Sequence, residues 1–192
     1  MYAIAEASRS VILALWAIWI ILWIAAARNV KRAEWRENRR TAIWNRAPVL
    51  LGVAMFVWPP LSPAALNRPI LPGRPELPSL GMFLVAAGLL FAVWARWHLG
   101  GNWSGTVTVK ENHALITSGP YRLARHPIYS GILLALIGTA LAIGSARGFV
   151  ATALILVGFV IKLRVEEARM RDTFPEYADY CRRTARLVPG VF

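Results

Sequence analysis

Five runs carry no charged residue: Ser10 to Ala27, Ala47 to Asn67, Leu77 to Ala95, Pro127 to Ala146 and Gly148 to Ile161, with 18, 21, 19, 20 and 14 residues. About twenty apolar residues in helical form cross the hydrocarbon core of a bilayer. Lipid offers the backbone no hydrogen-bond partner, so such segments satisfy their own N–H and C=O groups as helix. The chain is 57% apolar and 17% charged, whereas an ordinary soluble domain carries roughly 25% charged residues. Disorder and a conventional soluble domain are thereby excluded. The expected fold is all-α: a polytopic membrane protein with about five transmembrane helices.

The formal charge of +12, from 22 Lys and Arg against 10 Asp and Glu, acquires meaning from its placement. Seven basic residues lie between Arg28 and Arg46, four between the third and fourth spans and seven from Lys162 onward. The alternate side holds Arg9, Arg68, Arg74 and Arg147, so the split is 18 to 4. The positive-inside rule then puts the N-terminus outside and the tail in the cytoplasm. Attraction to anionic headgroups accounts for the basic excess. Nucleic-acid binding would need a basic face interleaved with base-stacking aromatics, and none is expected. A cleaved signal peptide wants a basic leader, whereas Glu6 and Arg9 precede the first span and seven basic residues follow it. The single Cys181 has no intrachain partner and falls in the expected cytoplasmic tail, a reducing location.

Two halves follow: residues 1–95, with three spans, a basic cytoplasmic loop and an external strap, and residues 96–192, which hold the polar and chemical motifs. Trp16, Trp19 and Trp23 share one face of the first span at spacings of three and four. Pro59, Pro60 and Pro63 unwind the outer end of the second. Pro69, Pro72, Pro75 and Pro78 recur every third residue, the period of polyproline II, and form a stiff external connector. Alternation in Thr106 to Val109 and Ala114 to Thr117 predicts a short cytoplasmic strand-turn-strand turning through Lys110 to His113. Spans four and five form a tight hairpin joined by Gly144 to Gly148, with Gly131, Gly138 and Ala142 as small packing surfaces. A cytoplasmic helix is expected near the C-terminus.

Two clusters of chemistry-bearing residues meet at the cytoplasmic mouth of that hairpin. In the first, running from Gly119 to Gly131, Pro127 is a good first helical residue and His126 takes the N-cap position. A helix start of this kind attracts carboxylate or phosphate, reinforced by Arg122 and Arg125. The second contains Lys162, Arg164, Glu166 and Glu167, then Phe174, Tyr177, Tyr180 and Arg186. Lys162 and Glu166 are four apart, on one helical face. His98, His113 and His126 lack paired ligand spacing, so no metal site is expected. Gly100, Gly101 and Gly105 fit neither the phosphate-loop nor the dinucleotide pattern.

Gly119-Pro120-Tyr121, His126-Pro127-Ile128-Tyr129 with Gly131, the Glu166-Glu167 pair and the aromatic tail together resemble the isoprenylcysteine carboxyl methyltransferase family, whose general pattern phospholipid N-methyltransferases share. The resemblance runs from about Trp97 to Gly190. It implies an integral membrane enzyme that uses S-adenosyl-L-methionine without a Rossmann fold. It further implies that His113, Ala114, Leu115 and Ile116 line the cofactor, that Tyr121, His126, Pro127, Ile128 and Tyr129 form its other wall, and that Glu166 and Glu167 bind it. Lys162, Arg164 and Arg125 become the candidate catalytic cations. One position departs: the carboxyl methyltransferases carry arginine where this chain has Lys162, and lysine cannot form the bidentate arginine fork. That favours an acceptor other than a prenylcysteine carboxylate, small or lipid-like and reached from the bilayer. The rival readings are a sterol-type membrane reductase using NADPH and a non-catalytic lipid-binding protein.

Overall fold

Where two helices cross over glycine their backbones meet directly, and four glycines set the central crossing of this protein. The computed structural model describes residues 2–27, 33–36, 39–74, 76–103, 108–110 and 115–190. Its long helices are α1 (Tyr2–Ala26), α2 (Arg39–Val57), α3 (Glu76–Leu99), α4 (Pro127–Ile143) and α5 (Ala146–Thr173), followed by a short α6 (Tyr177–Arg183). Gly88 of α3 faces Gly131 of α4, and one heptad away Gly81 faces Gly138 in the antiparallel partner. A Cβ at Gly88 would sit 2.4 Å from the Gly131 carbonyl oxygen, and one at Gly81 equally close to that of Gly138. No side chain fits there, so the pair packs by backbone contact, the mode small residues permit within a bilayer.

The other helices flank this pair. Ile12 of α1 joins Val85, Leu89 and Ala135 in one apolar cluster. Trp16, Trp19 and Trp23 form a ladder along α1, with centroids 5.7 and 4.5 Å apart, that ends edge-on against Trp103 at 5.4 Å. The Trp16 indole donates to Thr139 Oγ1 at 3.1 Å, tying α1 to α4. On the far side α5 packs on α4, where Gly148 lies against Ala140, and α2 packs on α5, where Gly52 lies against Ala151 and Ile155. Two buried arginines cap helix ends that would otherwise leave carbonyls without partners. Arg96 donates to Ala26 O and Gly100 O at 2.8 Å each and lies 4.6 Å over the Trp103 ring. Arg147 donates to the carbonyls of Met55 and Phe56 at the end of α2.

Among the described residues, three helices are long and apolar enough to cross a membrane: Glu6–Ala26, Glu76–Leu99 and Ala146–Thr173. The expected five full-length spans are not found among the described residues. The apolar part of α2 runs only Arg46–Val57, and α4 has 17 residues, Pro127–Ile143. At 1.5 Å per residue these reach about 18 and 26 Å, short of a core about 30 Å thick. The uncharged run after Ala47 is longer than its helix because Pro59 and Pro60 break it into two 3-10 turns, Pro59–Leu61 and Ala64–Asn67. The segment after Pro69 crosses to the α4–α5 turn, where Ile70 N and Leu71 N both donate to Gly144 O, at 2.9 and 3.1 Å; of the expected strap, Pro78 stands instead in the first turn of α3, and residue 75 lies outside the described residues. Gly144 takes φ +69 as the α4 C-cap, a left-handed conformation that favours glycine.

The expected strand-turn-strand is also corrected. Strand β2 (Thr108–Lys110) pairs antiparallel with β1 (Ala33–Arg36), from the loop between α1 and α2. Residues 115–117 are not strand, and residues 104–107 and 111–114 lie outside the described residues. The alternation there has another cause. Leu115 packs against the Phe174, Tyr177 and Tyr180 cluster, while its neighbour Ile116 packs against Ala95, Tyr121 and Ile128. Successive apolar side chains serve two different clusters, so tertiary packing reproduces the signature of a strand.

Gly88→Val and Gly131→Val should each lower the thermal unfolding midpoint in detergent by the equivalent of about 1–3 kcal/mol, the cost of overpacking. Leu90→Ala, at an exposed position, should leave it near the parent value. Tryptophan fluorescence would read all three, and equal midpoints would contradict a glycine-mediated crossing.

Candidate functional site

The loop leading into α4 is built as a rigid turn. Gly119 has φ +58, and a Cβ there would lie 2.7 Å from the His98 ring, so glycine is required on both steric and conformational grounds. His98 Nε2 and Ser118 Oγ are 2.8 Å apart. Pro120 then starts a 3-10 turn over Gly119–Arg122. Tyr121 is buried, and Tyr180 donates to its carbonyl at 2.7 Å. Burial pushes the phenols of Tyr121, Tyr177 and Tyr180 above their ordinary range, so they stay protonated. The loop next runs beside the C-terminal segment: Arg125 N donates to Ala185 O at 2.8 Å and His126 N to Arg186 O at 3.1 Å. Ser130 Oγ lies 2.6 Å from Leu187 O.

The two adjacent glutamates divide between two environments, because consecutive helical residues point about 100° apart. Glu167 is 1% exposed. Its carboxylate takes Arg125 Nε at 2.8 Å and Arg186 Nη2 at 3.1 Å, with Arg171 Nη2 at 3.5 Å and His126 Nε2 at 3.4 Å. Arg125 also donates to the carbonyls of Cys181 and Thr184. Burial pulls Arg125 down, and its hydrogen bond and charge pairing with Glu167 outweigh this, leaving it raised. Glu167 thereby joins α5, the loop before α4 and the C-terminal segment.

Glu166 faces a different set. Tyr129 Oη donates to Glu166 Oε1 at 2.9 Å. Lys162 Nζ lies 3.7 Å from the same oxygen, and His126 Nδ1 lies 3.5 Å from Oε2. The Tyr129 ring stacks with His126 at 5.6 Å and with Phe159 at 4.7 Å, and Lys162 sits 5.5 Å over it. A half-buried carboxylate beside a row of aromatic rings can hold a cation or accept from hydroxyl groups.

His126, Tyr129, Lys162 and Glu166 are therefore brought together as the two sequence clusters lead one to expect. His126 does occupy the N-cap position of α4, yet its side chain makes no cap hydrogen bond and turns instead to the two glutamates. Pro127 and Ile128 are buried in packing. Arg125 is engaged by Glu167, while Arg164 is exposed, about 200° around the helix from Lys162. His113 and Ala114 lie outside the described residues. Among the described residues no three His, Cys, Asp or Glu side chains are placed to hold a metal. Phe159 and Ser130 carry no sequence signal, since an aromatic or a serine in an apolar run reads as ordinary packing.

Residues 78–177 match the family described as phospholipid methyltransferase. The chain is 32% identical over 121 residues to the cobalt-zinc-cadmium resistance protein CzcN of Cupriavidus metallidurans, covering 61% of this chain and 51% of that one. It is 32% identical over 116 residues to a probable protein-S-isoprenylcysteine O-methyltransferase of Oryza sativa, covering 58% and 61%. With protein-S-isoprenylcysteine O-methyltransferase B of Arabidopsis thaliana it shares 26% over 117 residues, 59% of each. The chain spans half to three fifths of the length of these relatives.

Glu167→Gln should destabilise the protein by about 3–5 kcal/mol, because it leaves the buried Arg125 without its counter-charge. Glu166→Gln, in a more exposed position, should cost about 1 kcal/mol or less. Unfolding in detergent, followed together with proteolysis of the C-terminal segment, separates the two. Equal destabilisation would contradict the division of roles.

Proposed function

The chain belongs to the phospholipid methyltransferase family, and from that premise we propose that it is a membrane methyltransferase dependent on S-adenosyl-L-methionine. Its acceptor is small or lipid-like and is reached at the cytoplasmic face. The observation that carries this reading is the Glu166 carboxylate, partnered by Tyr129 and His126 and free of the arginines that engage Glu167. The donor set fits the group: Glu166 suits ribose hydroxyls or a ligand cation, and the stacked rings suit adenine or a sulfonium. The cofactor supplies, when bound, a methyl group on a positively charged sulfur.

The protein's share is to bind, orient and exclude water. Glu166, Tyr129 and His126 form one wall, with Tyr121, Pro127 and Ile128 as its packed support. Glu167 holds that wall in register through Arg125 and Arg186. Of the three candidate catalytic cations only Lys162 borders the cluster, so we assign the reacting end to Lys162 and a structural role to Arg125. In-line methyl transfer to an anionic or thiolate nucleophile needs positioning more than acid-base chemistry. Names of the relatives that specify a protein-S-isoprenylcysteine acceptor support a lipid-modified carboxylate, while Lys162 in place of arginine favours a different acceptor.

We further assign five crossings, with α2 and α4 completing the set, the N-terminus outside and the tail in the cytoplasm. The 18 to 4 division of basic residues supports this. In a variant with Cys181 replaced, single cysteines between residues 68 and 74 and after Arg183 should label from opposite sides of sealed vesicles. Labelling from one side would contradict the five-crossing topology.

Calorimetry on the full chain in detergent should show Glu166→Gln weakening S-adenosyl-L-methionine by about ten- to hundredfold, the loss of a hydrogen bond to a charged group. Tyr129→Phe, which removes the hydroxyl that orients the Glu166 carboxylate, should weaken it by about three- to tenfold. Methyl-labelled cofactor offered with prenylcysteine, phosphatidylethanolamine and a hydrophobic thiol identifies the acceptor class. Cofactor binding without turnover of any acceptor would favour a lipid-binding protein, and binding of NADPH instead would favour a reductase.

A further inference from the structure

Lys162 stands one helical turn before Glu166, and its ammonium makes two contacts at once. It lies 3.7 Å from Glu166 Oε1 and 5.5 Å over the Tyr129 ring, whose hydroxyl donates to that same oxygen. A carboxylate beside an aromatic face is the chemistry that recognises an organic cation, and here a cation of the protein already holds both elements. The Lys162 and Glu166 side chains are 22% and 21% exposed, so the pair stands at the edge of the site, within reach of a ligand. Four rotatable methylene bonds let the ammonium leave without moving the α5 backbone.

The geometry points to Lys162 as a resident cation that occupies the cation-binding position formed by Glu166 and Tyr129 until a ligand cation displaces it. This rests on the cofactor reading above and adds to it a specificity device. A neutral nucleoside fragment has no reason to displace the lysine, whereas a ligand bearing an ammonium or a sulfonium competes with it directly. His126 Nδ1, 3.5 Å from Oε2, lies on the other carboxylate oxygen, away from Lys162. Lys162 therefore lowers affinity for an occupant whose cation takes that position and leaves the neutral part of the site untouched.

The test is calorimetry on the full chain in detergent with three probes. S-adenosyl-L-methionine carries an ammonium and a sulfonium, S-adenosyl-L-homocysteine an ammonium alone, and 5′-methylthioadenosine neither. Lys162→Met keeps the apolar stem and removes the charge, so S-adenosyl-L-methionine should bind about three- to tenfold more tightly, the combined worth of a partly exposed ion pair and a cation–π contact. Binding of 5′-methylthioadenosine should not change, and Lys162→Arg, which keeps a cation, should remain near the parent for all three. Tightening of S-adenosyl-L-homocysteine as well would identify the ammonium as the competitor; tightening of S-adenosyl-L-methionine alone would identify the sulfonium. Unchanged or weaker S-adenosyl-L-methionine binding in Lys162→Met overturns the inference, as does a parallel loss for 5′-methylthioadenosine, which would make Lys162 a structural support. If the parent protein binds none of the probes, the cofactor reading itself fails; if it binds them and Lys162→Met changes nothing, only the resident-cation inference does.

Discussion

A carboxylate taken out of water must recover its solvation from the protein, and Glu167 recovers it from segments far apart in sequence. Arg125 reaches it from the loop before α4 and Arg186 from the chain after α6, with Arg171 one turn further along α5. Such a buried network is weak as a source of net stability, since desolvation offsets much of the attraction. Its consequence here is positional. Satisfying these charges ties the loop, the long helix and the C-terminal segment together in an arrangement that puts His126 and Tyr129 beside Glu166. The parallel backbone contacts from Arg125 and His126 to residues 185 and 186 lock the same register.

Within the apolar layer the constraint is steric. Gly81, Gly88, Gly131 and Gly138 let α3 and α4 meet without intervening side chains. Their crossing orients the start of α4, where His126 and Tyr129 lie. Arg96 and Arg147 do for helix ends what water does in a soluble protein, supplying donors to the carbonyls of Ala26, Met55 and Phe56. The bundle is thus held by backbone proximity in its middle and by charge-assisted caps at its two ends.

The pattern of uncharged runs made the helices legible, since periodicity matters little when every face is apolar, but it overstated their lengths. Proline at 59 and 60 ends α2 well before the uncharged run ends, a local effect that a count of charges does not register. Convergence of the two clusters was legible because His126-Pro127 marks a helix start and Lys162 and Glu166 share a helical face. The division between Glu166 and Glu167 was not, because identical neighbouring residues acquire different roles only through what packs beside them. Arg125 read as a ligand-binding cation for the same reason, its buried partner being 42 residues away. The strand-like alternation around Leu115 and Ile116 misled because two separate aromatic clusters, formed by distant segments, produce the same spacing as a pleat.

On the proposed reading, S-adenosyl-L-methionine lies beside Glu166, between the start of α4 and the later turns of α5. The most direct measurement is ultraviolet crosslinking of methyl-labelled S-adenosyl-L-methionine to the detergent-solubilised chain, followed by peptide mapping. The account predicts label on the peptides containing His126 to Tyr129 and Phe159 to Glu166, competed away by unlabelled S-adenosyl-L-homocysteine. Label confined to residues 1–74, or label on these peptides that the competitor does not reduce, would contradict it.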